Sequence, residues 1–167
     1  QRSWVHSRYI RNFPAKLVYI QLLAFIRTDQ MKLENNWKNK SLENLEKIVW
    51  SEPEYSSHLV TTCHKLRKKQ LRDFDIEDLR IMIGQNIGLN FLIPLAIDEL
   101  KQNKLAEGDF YEGDLLKSVL TSDTDYWKME KENWSLVVNL FKEKSKELDY
   151  NHKELFNSFK DFEKING

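Results

Sequence analysis

The chain has 167 residues with 26 basic and 26 acidic side chains, a length that favours one domain and a balance without the basic surplus of nucleic-acid-binding domains. Hydrophobic residues at 41% and charged residues at 31% exclude a wholly disordered chain. Five Gly and three Pro are too few for the many turns of a sandwich or barrel, 22 Leu against seven Val lean towards helix, and a single cysteine, Cys63, excludes a disulfide framework or a thiolate zinc cluster.

Charge is unevenly spread. Residues 1–30 hold five bases and one acid, so the remaining 137 hold 21 bases and 25 acids. Within the first part, residues 14–26 are nearly all apolar. They end in Arg27-Thr28-Asp29-Gln30 rather than in the small residues of a signal cleavage site, and they are shorter than the roughly 20 residues a membrane span needs. A packed helix with Pro14 in its first turn is expected there, or else an extension foreign to the domain, which then occupies 31–167.

From Ser41 the pattern is helical. Ser41 caps a helix with Leu42, Leu45, Ile48 and Val49 on one face. Pro53 breaks it. A second helix over 56–71 turns Leu59, Cys63 and Leu66 inward and ends in the basic run Lys65, Arg67, Lys68, Lys69. Asp73 or Asp75 opens a third, with Leu79, Met82 and Ile83 as its apolar face. Gly84 and Gly88, four apart, are spaced to let another backbone approach. Pro94 starts or kinks a helix over 93–103, residues 104–114 form a loop, and Asp114 caps a short helix over Leu115, Leu116, Val119 and Leu120. After the break at 122–125, one long helix is expected over about 126–148, marked by Trp127, Trp134, Val137, Val138 and Phe141. A last one over about 151–164 shows Leu155, Phe156, Phe159 and Phe162 in amphipathic spacing. No stretch alternates strictly and no repeat has a fixed period. The expected fold is therefore all-α: a single-domain, irregular bundle of about six to eight helices with little or no sheet.

No phosphate-binding loop, dinucleotide fingerprint, zinc-protease helix or nucleophile elbow is present, so no cofactor is implied. Cys63-His64 is not a catalytic pair, since neighbours on a helix diverge by about 100°. Acids gather instead: six acids and two bases lie between residues 104 and 125. Glu107, Asp109, Glu112 and Asp114 flank the aromatics Phe110 and Tyr111, with Asp123, Asp125 and Tyr126 following. Three readings fit: helix capping around turns at Gly108 and Gly113, an anionic patch with aromatic anchors for a cationic partner, or paired carboxylates for a metal or acid–base chemistry. The spacing of a calcium loop is absent from 107–118. The run Lys65–Lys69 reads as a solvated helix end; the alternative is phosphate contact, in a helical nucleic-acid-binding or regulatory protein.

The central motifs resemble a known family. Glu52-Pro53-Glu54-Tyr55 is followed by Leu59-Val60-Thr61-Thr62-Cys63-His64-Lys65-Leu66-Arg67-Lys68-Lys69. Then come Glu77-Asp78-Leu79-Arg80-Ile81-Met82-Ile83-Gly84-Gln85-Asn86-Ile87-Gly88-Leu89, Pro94-Leu95-Ala96, Leu105-Ala106-Glu107-Gly108-Asp109-Phe110-Tyr111 and Gly113-Asp114-Leu115-Leu116. In order and spacing these resemble the immunity proteins of contact-dependent growth inhibition (CDI) systems, over about residues 41–128. Lys104 and Glu112 stand where that family often has Pro. The resemblance implies an all-α cytoplasmic protein of bacteria without catalytic activity, metal or cofactor. Its partner would be the C-terminal toxin domain of a large exported exoprotein, often a nuclease, whose active site it blocks. No direct nucleic-acid partner and no stable membrane insertion are implied. An acidic main body suits that role, because a nuclease presents positive charge to phosphate. The expected toxin-binding residues are Glu107, Asp109, Phe110, Tyr111, Glu112, Asp114, Asp123, Asp125 and Tyr126.

Overall fold

A computed structural model describes residues 36–53, 57–143 and 152–167. The expectations for residues 1–30 and for the stretch beyond Glu143 up to Leu148 lie outside them.

Eight α-helices follow one another among the described residues: α1 (Leu42–Glu46), α2 (His58–Lys68), α3 (Ile76–Gly84), α4 (Leu89–Gln102), α5 (Asp114–Leu120), α6 (Thr124–Met129), α7 (Lys131–Glu143) and α8 (Lys153–Glu163). None of these residues forms a strand; Ser41 and Gln70 make an isolated antiparallel bridge. The architecture is the expected all-α irregular bundle.

Side-chain caps set four of the eight helix starts. The Ser41 hydroxyl accepts the Asn44 N–H at 3.3 Å and the Ser57 hydroxyl accepts that of Val60 at 3.2 Å. Asp75, not Asp73, opens α3, through a reciprocal capping box with Asp78.

Four expectations are corrected. First, α1 ends at Glu46 because Lys47 takes a left-handed conformation. This turns Ile48 and Val49 out of the core face, and Val49 is 76% exposed. Second, α4 begins at Leu89, so Pro94 lies inside it rather than at its start. The proline removes one helical hydrogen bond at a cost of about 3 kcal/mol. The helix persists because Phe91, Leu92, Ile93, Ala96 and Ile97 are all buried, at roughly 1.5–3 kcal/mol for each large side chain. Third, Gly84 and Gly88 do not act as a pair. A Cβ at Gly84 would only touch Ser118 Oγ at 3.6 Å, whereas one at Gly88 would press on Leu42 Cδ1 at 2.7 Å, so close approach is confined to Gly88 against α1. Fourth, the long helix expected from 126 is two helices, bent at Glu130. The bonds Glu130 N–H to Tyr126 O (2.9 Å) and Trp134 N–H to Glu130 O (3.0 Å) survive on either side of the bend.

Buried apolar side chains from all eight helices form one core cluster. Its C-terminal end is aromatic. Trp127 is fully buried, donates its indole N–H to Ser122 Oγ at 2.9 Å and stands edge-on to Phe162 at 4.9 Å. Trp134 donates to the Phe162 carbonyl at 3.1 Å, and Phe141 stacks on Phe159. Helix α5, buried through Leu115, Leu116, Val119 and Leu120, packs against α3 and α8. That packing places the loop before α5 over the first turns of α3.

Candidate functional site

The loop between α4 and α5 is fastened to α3 by an ionic cage. Arg80, one turn along α3 from Glu77, forms a two-pronged pair with it, Nε to Oε2 and Nη2 to Oε1, each at 2.6 Å. Arg80 Nε also lies 3.6 Å from Asp114 Oδ2. These two carboxylates collect three successive backbone N–H groups of the loop. Gly108 donates to Asp114 Oδ1 at 2.8 Å, Asp109 to Glu77 Oε2 at 2.9 Å, and Phe110 to Asp114 Oδ2 at 3.2 Å. Converging amides of this kind favour anions, and Arg80 balances part of the added negative charge. The Arg80 hydrogen bonds hold the Glu77 carboxyl below its ordinary pKa, and the same bonds raise that of Arg80. The cage leaves no room at Gly108, where a Cβ would collide with Glu77 Oε2 and come within 3.3 Å of Arg80 Cδ. The loop closes with Gly113, in a left-handed conformation at φ 85°, donating to the Leu105 carbonyl at 3.2 Å.

What the cage presents is an anionic, aromatic tip. Phe110 is 68% exposed, although its inner face rests on the Arg80 guanidinium, 4.4 Å from ring centroid to Cζ. Tyr111 is 49% exposed, and partial burial together with Glu154 and Asp114 raises its phenol pKa. The side chains of Glu107, Asp109 and Glu112 are exposed, and none forms a hydrogen bond or ion pair with another described residue.

The nine expected residues therefore divide. Five of them, Glu107, Asp109, Phe110, Tyr111 and Glu112, share the tip. Asp114 is buried beneath the tip, with both carboxylate oxygens taken up by loop amides. It does not cap α5 as expected, since it is the first residue of that helix and its carboxylate turns back to the loop amides. Asp123, Asp125 and Tyr126 lie beyond the other end of α5, seven residues or about 10 Å along its axis. Asp123 caps α6 through the Asp125 and Tyr126 N–H groups, Asp125 pairs with Lys128 at 3.0 Å, and the Tyr126 hydroxyl accepts from Asn133. Burial, foremost, raises the Tyr126 phenol pKa. The two residues that build the cage from α3, Glu77 and Arg80, were not expected as site residues. Their spacing on a helix is the signal that could have found them.

The other features offer less chemistry. Cys63 is buried and its thiol is pushed up to about 11, chiefly by desolvation, which disfavours the nucleophilic thiolate at neutral pH. His64 stands edge-on to Trp50 at 5.1 Å. Of the basic run on α2, Arg67 is buried against Glu46 and the Ile48 carbonyl, and Lys69 pairs with Asp78. Among the described residues no group of three potential metal ligands gathers, and no helix is long and apolar enough to cross a membrane.

The family model of CDI immunity proteins matches residues 44–137, more than half of the chain. The chain belongs to that family. It is an immunity protein against a CDI toxin, and the matched region contains the caged loop and the whole of α2, α3, α4, α5 and α6. No curated protein and no solved structure matches the chain.

Proposed function

We propose that this immunity protein neutralises its toxin by docking the tip 107–112 into the active-site cleft of a nuclease domain at the C-terminus of a CDI exoprotein, in the bacterial cytoplasm and without catalysis of its own. The observation that supports this reading most is the combination on the tip: three exposed carboxylates that make no side-chain hydrogen bond or ion pair among the described residues, beside two exposed aromatics. A cleft that binds the phosphates of nucleic acid is lined with cations. Carboxylates on the tip would take the place of phosphates there, and Tyr111 is large enough to fill a base-sized pocket. Complementary charge would also speed capture of a toxin before it has acted on many substrates.

Asp123, Asp125 and Tyr126 support this surface less well, as α5 separates them from the tip. A nucleic-acid-binding role for α2 is disfavoured, because Arg67 and Lys69 are taken up by internal partners, and among the described residues Lys65 and Lys68 of the run form no ion pair. The test is to produce the toxin domain encoded beside this gene with the chain and with its Asp109→Lys/Glu112→Lys variant. Association with the variant is expected to slow about tenfold or more, with loss of protection. Unchanged association by a variant of unaltered helicity would refute the docking surface. Turnover of nucleic acid by the immunity protein alone would refute the non-catalytic role.

A further inference from the structure

We propose that Arg80 is a positioning residue for docking: by holding the cage together it keeps Phe110 projecting, so that the tip meets its partner as a preformed anchor. The inference rests on the reading that 107–112 docks on a cationic face of a folded protein.

Arg80 occupies the junction of every part involved. It pairs with Glu77 through two hydrogen bonds, lies 3.6 Å from Asp114 and underlies the ring of Phe110. Without it, the carboxylates of Glu77 and Asp114 face one another with no counter-charge, and these are the groups that hold the amides of 108, 109 and 110. Phe110 would lose the flat surface that keeps its ring from folding back. Because the guanidinium already occupies the inner face of the ring, only the outer face and edge are left for a partner. An apolar pocket rimmed by cations suits this presentation: the pocket takes the ring, and the rim meets Glu107, Asp109 and Glu112. A loop ordered before encounter gives up less conformational freedom on binding, and the gain falls mainly on dissociation.

The experiment compares the full chain with Arg80→Gln, Arg80→Lys and Phe110→Ala, against the toxin domain encoded beside the gene. Two readouts are taken: association and dissociation rates, and hydrogen exchange of the amides of Gly108, Asp109 and Phe110. For Arg80→Gln the expected result is faster exchange at those three amides, dissociation faster by about tenfold, and association no slower, since a positive charge has been removed from an anionic tip. Arg80→Lys keeps the charge without the planar fork and is expected to fall between the two. It also serves if the Gln variant fails to fold. Loop amides that stay protected would overturn the proposal. So would faster exchange with unchanged dissociation, which would reduce Arg80 to a stabiliser of the fold. The Phe110→Ala arm separates the two levels: if it too leaves dissociation unchanged, the docking reading itself has failed.

Discussion

Two stretches of this chain are dense in charge, and the fold uses them in opposite ways. The basic run 65–69 sends Arg67 inward, where its guanidinium holds Glu46 and the Ile48 carbonyl and lies over Trp50 at 4.3 Å, and it ties Lys69 to Asp78. The acidic loop spends one carboxylate, Asp114, on its own backbone and leaves Glu107, Asp109 and Glu112 outside. Charge density in a sequence is therefore not a measure of charged surface. What matters is how many of the charges the fold has already claimed.

That contrast can be broken at its strongest point first. Arg67→Ala removes a buried partner from Glu46 and from a backbone carbonyl, together with its stacking on Trp50. It is expected to cost about 3 kcal/mol in urea unfolding, less than a fully buried pair because Glu46 remains partly in water. Asp114→Ala strips the Gly108 and Phe110 amides of their acceptor and should cost about 2 kcal/mol, with faster exchange at those amides. Below these comes an effect of pH. Glu77 is ionised more readily folded than unfolded, so its stabilisation is present above the ordinary carboxylate value of about 4.3 and fades as pH falls through its lower folded value. The stability gap between the natural chain and Glu77→Gln should therefore be full at neutral pH and shrink below about pH 4. The smallest change is expected from Lys65→Glu/Lys68→Glu, within roughly 0.5 kcal/mol for each site, because neither lysine pairs with another described residue. A large loss there would erase the contrast.

The positions of the loop and of most helices were legible in the sequence because capping chemistry and apolar spacing are local. Ser41, Ser57 and Asp75 cap as their types suggest, and the apolar faces of α3, α5 and α8 point inward. The bend at Glu130 was not legible. Trp127 and Trp134, seven residues apart, fit one face of a continuous helix, and no Gly or Pro interrupts them. The bend accompanies their separate hydrogen bonds to Ser122 and Phe162, which are tertiary. Asp114 misled for a related reason. An acid before an apolar run fits an N-cap, but its amide partners were decided by the loop folding over α3. Glu77 and Arg80 have the spacing of an ordinary helix pair, and it is the loop folding over them that makes the pair part of a cage.

The grip on the loop is made to its main chain, at the amides of three adjacent residues, and hardly to its side chains. Any residue other than proline offers the same amide. Positions 107, 109, 111 and 112 can thus be rewritten while the loop keeps its outline, with the crowded Gly108, the left-handed Gly113 and the acceptor Asp114 held fixed. On the proposed docking role, a new set of outward groups on the same mount would change which partner the loop fits.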